Sequence, residues 1–126
     1  MELSYQKEEL YGVNSTVTKV SAGAVEHIKI ARINNINETI KILKEQGIWI
    51  CGTDMDTKTK YNEQDLKGPL AIVIGSEGFG ISRLVKENCD FLVKIPMKGK
   101  VTSLNASVST GIILYEVLRQ RALTSN

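Results

Sequence analysis

Histidine occurs once, at His27, and cysteine twice, at Cys51 and Cys89. No His/Cys metal constellation can be assembled from so few ligands, so no metal is expected. The two cysteines lie in or beside apolar, strand-like runs. They read as small buried hydrophobes in a reducing cytoplasm rather than as a disulfide framework. No apolar run reaches the length that a membrane helix needs, and no signal-peptide pattern opens the chain. An excess of one charge is lacking too: 16 basic and 14 acidic residues leave a net charge of +2. That is too mild to announce nucleic-acid binding by charge alone, although "VKIPMKGK" gathers Lys94, Lys98 and Lys100. What remains is a chain of 126 residues, 42% hydrophobic and 24% charged. It is expected to be a cytoplasmic domain able to bury a core without staples.

The apolar periodicity gives an order of elements. Residues 1–16 are polar with a weak pattern and read as an arm or partial helix. "KVSAGAVEHI" reads as a short helix with Ser21 as N-cap and Val20 and Val25 as staple partners. "IKIARI", residues 28–33, alternates as a strand does. "NNINETIKILKEQG" is the clearest amphipathic helix, with Ile36, Ile40 and Leu43 at helical spacing and Gly47 at the C-terminal cap. "IWICGTD" is a buried strand, and residues 55–69 form a loop or short helix ending at Gly68-Pro69. "LAIVIG" is a second buried strand, "FGISRLVKENC" a helix and "DFLVKIP" a third strand closed by Pro96. "SLNASVSTGIILYEVLRQR" is a long helix opened by Ser103, with basic residues at its negative end. Strands separated by helices imply an α/β fold, a mostly parallel sheet with helices on both faces. Ligands of such sheets gather at the carboxyl ends of the strands, here the loops after Gly52, Gly75 and Ile95.

One of those loops, in "IVIGSEGFGISRLV", carries Gly75, Gly78 and Gly80 between a strand and a helix. Glycines there permit positive dihedrals and close approach of the main chain. The spacing G-x-x-G-x-G is neither the dinucleotide fingerprint nor a P-loop. Glu77 would repel a phosphate, and no lysine stands where a P-loop needs one. Taken alone, the glycines are better explained by a strand-to-helix turn than by a ligand. In "IPMKGKVTSLNASVS", Ser103 reads as a helix cap. Asn105 reads as lying past the cap, with its amide able to reach a neighbouring loop or a ligand.

Together, "IVIGSEGFGISRLVKENCDFLVKIPMKGKVTSLNASVSTGIILYEVLRQR", "TKVSAGAVEHIKIARINN" and "GIWICGTD" resemble the SpoU/TrmH branch of the SPOUT superfamily. These are S-adenosylmethionine-dependent RNA ribose 2'-O-methyltransferases. The resemblance spans about residues 16–122 and is nearer to the ribosomal-RNA guanosine enzymes than to the transfer-RNA members. It implies a deep C-terminal trefoil knot, which periodicity could not show, and divides the chain into an arm, 1–15, and a knotted domain, 16–126. It also implies RNA as partner, a homodimer with the last helix near its interface, and no metal. The cofactor carries a sulfonium and an adenosine but no phosphate, so a carboxylate in the loop is tolerable.

By similarity, main-chain groups around Gly75, Ile95 and Leu104 hold the cofactor. Ile95, Met97 and Leu104 shape the adenosine pocket and Thr53 closes one side. Glu77, Ser103 and Asn105 match the polar motif residues expected at the catalytic centre, and Gly78 completes the glycine loop. The family's first motif, Asn-x-Gly-x-x-x-Arg-Thr-Ala, has no match, so the chain is expected to be truncated at its N-terminus. The motif's arginine activates the ribose hydroxyl, a poor nucleophile unaided. Arg32, Arg83, Arg119 and Arg121 lie in no matching context, and none takes that role. Arg32 reads as solvated, and Arg119 and Arg121 as facing a dimer partner or RNA. A second reading is a catalytically silent cofactor- or RNA-binding dimerisation module, which the missing arginine motif favours for this chain. A third, a generic domain binding ATP or NAD, is opposed by the absence of a P-loop lysine.

Overall fold

The computed structural model describes residues 2–6, 29–75, 80–98 and 105–124. The chain divides into two compact units, Met1–Thr39 and Ile40–Asn126. In the first, β1 (Glu2–Gln6) runs parallel to β2 (Lys29–Ile33), in register from Glu2 opposite Lys29 to Gln6 opposite Ile33. The reading of 1–16 as an arm or partial helix is therefore corrected at residues 2–6. Five residues with too weak a pattern to announce a strand acquire one through the ladder to β2, because sheet formation depends on a partner. The short helix expected over "KVSAGAVEHI" lies outside the described residues.

Helix α1 (Ile36–Glu45) leads from the first unit into the second. It starts where Asn35 Oδ1 accepts the backbone N–H groups of Asn37 and Glu38 at 3.0 and 3.2 Å. That cap satisfies two of the donors a helix start leaves open. It stops at Gly47, whose φ of 82° suits a residue without a Cβ. Gly47 N–H donates to Lys44 O and Ile48 N–H to Leu43 O, the two bonds of a Schellman motif. Both ends were legible in the sequence.

The second unit is built on a parallel sheet ordered β4-β3-β5, with β3 (Trp49–Thr53) central between β4 (Leu70–Val73) and β5 (Phe91–Val93). Gly52 stands opposite Val73 on one side and Leu92 on the other. Side chains alternate across a strand, and the sheet buries both faces. On one face Cys51, Leu70 and Val93 pack with Leu66 of the preceding loop and with Ile113 and Val117 of α3 (Ala106–Thr124). Ile113 is fully buried, a burial that contributes roughly 2 kcal/mol. On the other face, a side chain at Gly52 would meet Cys89 Sγ, Leu92 Cδ2 and Ile81 Cδ1 at 2.7, 2.9 and 3.2 Å. This is the side of α2 (Arg83–Asn88), whose Val85 is buried. A glycine in mid-strand lets that helix end come close.

Two helix starts differ from the sequence reading. Helix α2 begins at Arg83, capped by Ser82 Oγ accepting Val85 N–H, rather than near Phe79. Asn105, not Ser103, caps α3: its Oδ1 accepts Ser107 N–H at 2.7 Å and Val108 N–H at 3.3 Å. Asn is among the best N-cap residues because its short side chain reaches those donors.

Candidate functional site

Parallel strands bring their carboxyl ends to one edge, and the described candidate residues Thr53, Gly75 and Ile95 collect there. Thr53 ends β3, and its hydroxyl donates to Val73 O of β4 at 3.5 Å. Gly75 follows β4 and Ile95 follows β5. Ile74 and Ile95 are partly buried against the core, and Gly75 and Met97 are half-buried. The edge thus keeps apolar surface within reach of a ligand while its strands are fixed from below.

Gly75 is required for a steric reason. A Cβ there would lie 2.2 Å from Gly80 C, 2.5 Å from Ile81 N and 2.6 Å from Gly80 Cα. All three are backbone atoms, so no side-chain rotation relieves the clash. The chain that leaves β4 therefore returns against its own start, and Gly80 makes the turn at φ 67°. The glycine spacing in the sequence records this crossing. Glu77, Gly78, Ser103 and Leu104 lie outside the described residues. Asn105 heads α3 as its cap, so the expectation that its amide lies past the cap is corrected.

Sequence reasoning missed the polar framework of this edge. Asp54, directly after β3, pairs with Lys86 of α2 at 3.1 Å, and its carboxylate also accepts Asp56 N–H. Asp54 N–H donates to Val93 O. An extended segment then runs beside the end of β5: Lys94 N–H donates to Thr59 O, and Tyr61 N–H to Lys94 O. The aspartate could have been singled out from its place in "GTD" at a strand end; its partner, 32 residues away, could not.

A second network anchors the same loop to α3. Gln120 Oε1 accepts Leu66 N–H at 2.8 Å, and its Nε2 donates to Gln64 O at 2.9 Å and to Glu116 Oε2 at 3.2 Å. Glu116 is buried and also accepts from Arg119 at both carboxylate oxygens. The Arg119 hydrogen bonds outweigh burial and hold the Glu116 carboxyl below its ordinary value, while the same contact raises Arg119. Arg121 donates to Gly68 O. Arg119 and Arg121 thus each serve an internal contact while remaining exposed.

Beside this network a groove of about 800 Å³ opens on α3, lined among others by Tyr61, Val108, Tyr115 and Leu118. Val108, Tyr115 and Leu118 are exposed, Tyr115 at 78%. Among the described residues no cluster of His, Cys, Asp and Glu could hold a metal, and no helix is long and apolar enough to cross a membrane. Burial, the largest cause, pushes the Cys51 thiol up to about 12 and the Cys89 thiol up to about 11. Both are inert at neutral pH.

The pattern defining the SpoU rRNA Methylase family matches residues 2–115, starting earlier than the quoted motifs. A Bacillus subtilis protein named YacO, of the TrmH family of tRNA/rRNA methyltransferases, is 54% identical over 115 residues. The 23S rRNA (guanosine-2'-O-)-methyltransferase RlmB of Coxiella burnetii is 50% identical over the same length. Each match covers 91% of this chain and 46% of the relative, so the chain spans somewhat under half the length of these relatives. Among solved structures, the SpoU methyltransferase AviRb of Streptomyces viridochromogenes, in complex with AdoMet, superposes with a TM-score of 0.86 at 27% identity. That likeness covers 96% of this chain and 48% of AviRb.

Proposed function

The chain belongs to the SpoU rRNA Methylase family, and from that premise we propose that it carries the cofactor site of an RNA ribose 2'-O-methyltransferase. S-adenosylmethionine is the methyl donor and ribosomal RNA, at a guanosine, the substrate. The observation that carries this reading is the crossing of Gly75 against Gly80 and Ile81 at the carboxyl edge of the parallel sheet. It leaves a narrow, main-chain-lined edge with apolar neighbours.

The residues suit such a cofactor. Ile95 and Met97 are half-buried and offer apolar surface to an adenine. Thr53 bounds the β3 side, and the main chain at Gly75, Gly78, Ile95 and Leu104 supplies directional hydrogen bonds. Bound there, the cofactor would supply a methyl on a sulfonium; its transfer to the ribose 2'-oxygen would leave a neutral thioether and release the hydroxyl proton to water. The protein's part is proximity and alignment, which remove a large share of the barrier. Glu77, Ser103 and Asn105 order the loops around the reacting atoms. The C-terminal part of the domain is threaded as a deep trefoil knot.

We place the protein in the cytoplasm as a homodimer, with the exposed stripe of Val108, Tyr115 and Leu118 on α3 seated against a second copy. Two free thiols fit a reducing compartment, and an apolar patch on a helix suits burial between subunits.

Calorimetric titration with S-adenosylhomocysteine, with ATP beside it, tests the cofactor site. Binding of S-adenosylhomocysteine alone is expected. Binding of ATP alone, or of neither, would overturn the reading.

A further inference from the structure

At the end of β5, Lys60 and Lys94 are bridge partners in a parallel pairing. Residues opposite each other in such a ladder send their side chains to the same face, about 5 Å apart. Like charges placed that way destabilise the pairing. Alternation along β5 puts Lys94 on the face of Leu92, two residues earlier. Leu92 lies on the Gly52 face, where Ile81 and the glycine crossing are found.

The nearby acids do not relieve the pair. Asp54 is committed to Lys86. Glu63 Oε1 accepts the backbone N–H of Lys60. Among the described residues no ion pair reaches either ammonium. Lys86 is already paired with Asp54, so the two bridge partners carry surplus charge at the end of β5. Lys58 and Lys98, both exposed, extend the positive strip along the chain.

We propose that Lys60 and Lys94 together seat one phosphodiester of the RNA strand at the rim of the methylation site. Their fixed spacing across a hydrogen-bonded bridge lets two ammonium groups share an anion, which turns the repulsion between them into attraction for it. The seat positions the strand and reads no base. This inference rests on the RNA-methyltransferase reading of the same edge.

The test is the salt dependence of binding to a short fluorescein-labelled single-stranded RNA, followed by anisotropy. S-adenosylhomocysteine titrations on the same preparations accompany it. For single strands the logarithmic salt slope falls by about 0.7 for each phosphate charge that a lysine no longer neutralises. Lys60→Gln with Lys94→Gln should flatten the slope by about 0.7, since the two share one phosphodiester, and leave cofactor affinity unchanged. Exposed Lys60→Gln alone should flatten it by less, because Lys94 still holds the anion. Lys60→Arg with Lys94→Arg should restore the parent slope, and Lys41→Gln on α1 should leave it unaltered.

An unchanged slope in the double Gln variant, with RNA still bound, would overturn the phosphate seat and leave the methyltransferase reading intact. Loss of cofactor binding in that variant would make the lysines structural and also overturn the seat. A parent chain that binds neither probe would overturn the reading itself, and the seat with it.

Discussion

Glu116 and Arg119 sit one turn apart on α3, and the guanidinium engages both oxygens of the carboxylate. The acid is buried while the Arg119 side chain is 57% exposed. The contact therefore serves the buried partner, which without it would be a charge removed from water. Because the folded value of Glu116 is depressed, its stabilisation is present above the ordinary carboxyl value of 4.5 and is lost as pH falls through the folded value. Glu116→Gln should lower the urea midpoint at pH 7, and the gap to the parent should close on acidification below that value. A gap constant across pH would show that the carboxylate charge plays no part.

Gln120 fastens α3 to the loop through Leu66 and Gln64. Gln120→Ala should cost about 3 kcal/mol, because it removes three part-buried hydrogen bonds, to Leu66, Gln64 and Glu116. Amide exchange should quicken at Leu66 before it quickens at Ile113. Chemical denaturation and hydrogen exchange check both statements.

The two sterically enforced glycines should answer differently. In Gly52→Ala the nearest atom is Cys89 Sγ, a side chain, and the destabilisation should be about 1–3 kcal/mol. Cys89→Ala in the same chain should recover part of it, a coupling that a double-mutant cycle measures. In Gly75→Ala the obstacle is the backbone of Gly80 and Ile81, so Cys89→Ala should recover nothing.

The thiols give a direct probe of packing. Burial raises both, to about 12 and about 11, so neither should react with a disulfide reagent at pH 8 in the folded protein. Both should react in denaturant. Cys51 faces α3, and Cys89 approaches Gly52 on the opposite face. Mild oxidant should therefore form no bond between them, as mass spectrometry would show.

Asn105 is a cap whatever else it does. Asn105→Ala should cost about 1 kcal/mol, and Asn105→Asp should keep stability because a carboxylate also accepts the two N–H groups. Both should weaken S-adenosylhomocysteine binding, since the Asp variant lacks the amide donor. Unchanged affinity in the Asp variant would confine Asn105 to capping.

The helix α1, both its ends and the three strands of the second unit could be read directly, because each rests on signals within a dozen residues: Asn35, Gly47, and the apolar runs after Gly47 and Pro69. The start of α3 was misread at Ser103 because two good capping types lie close together, and only the donor positions choose between them. Strand β1 was missed because its partner lies beyond residue 28, where no local pattern reaches. The Asp54–Lys86 and Gln120–Leu66 contacts were invisible for the same reason.

The succession of strands and helices, the glycine loop at a carboxyl edge and the family are written in local spacing and motif order. That Gly75 must be glycine, that Lys60 stands opposite Lys94 and that Glu116 is buried with its arginine emerge from packing. Each depends on two segments far apart in sequence meeting in space or on helix packing, and periodicity along one chain carries no record of such meetings.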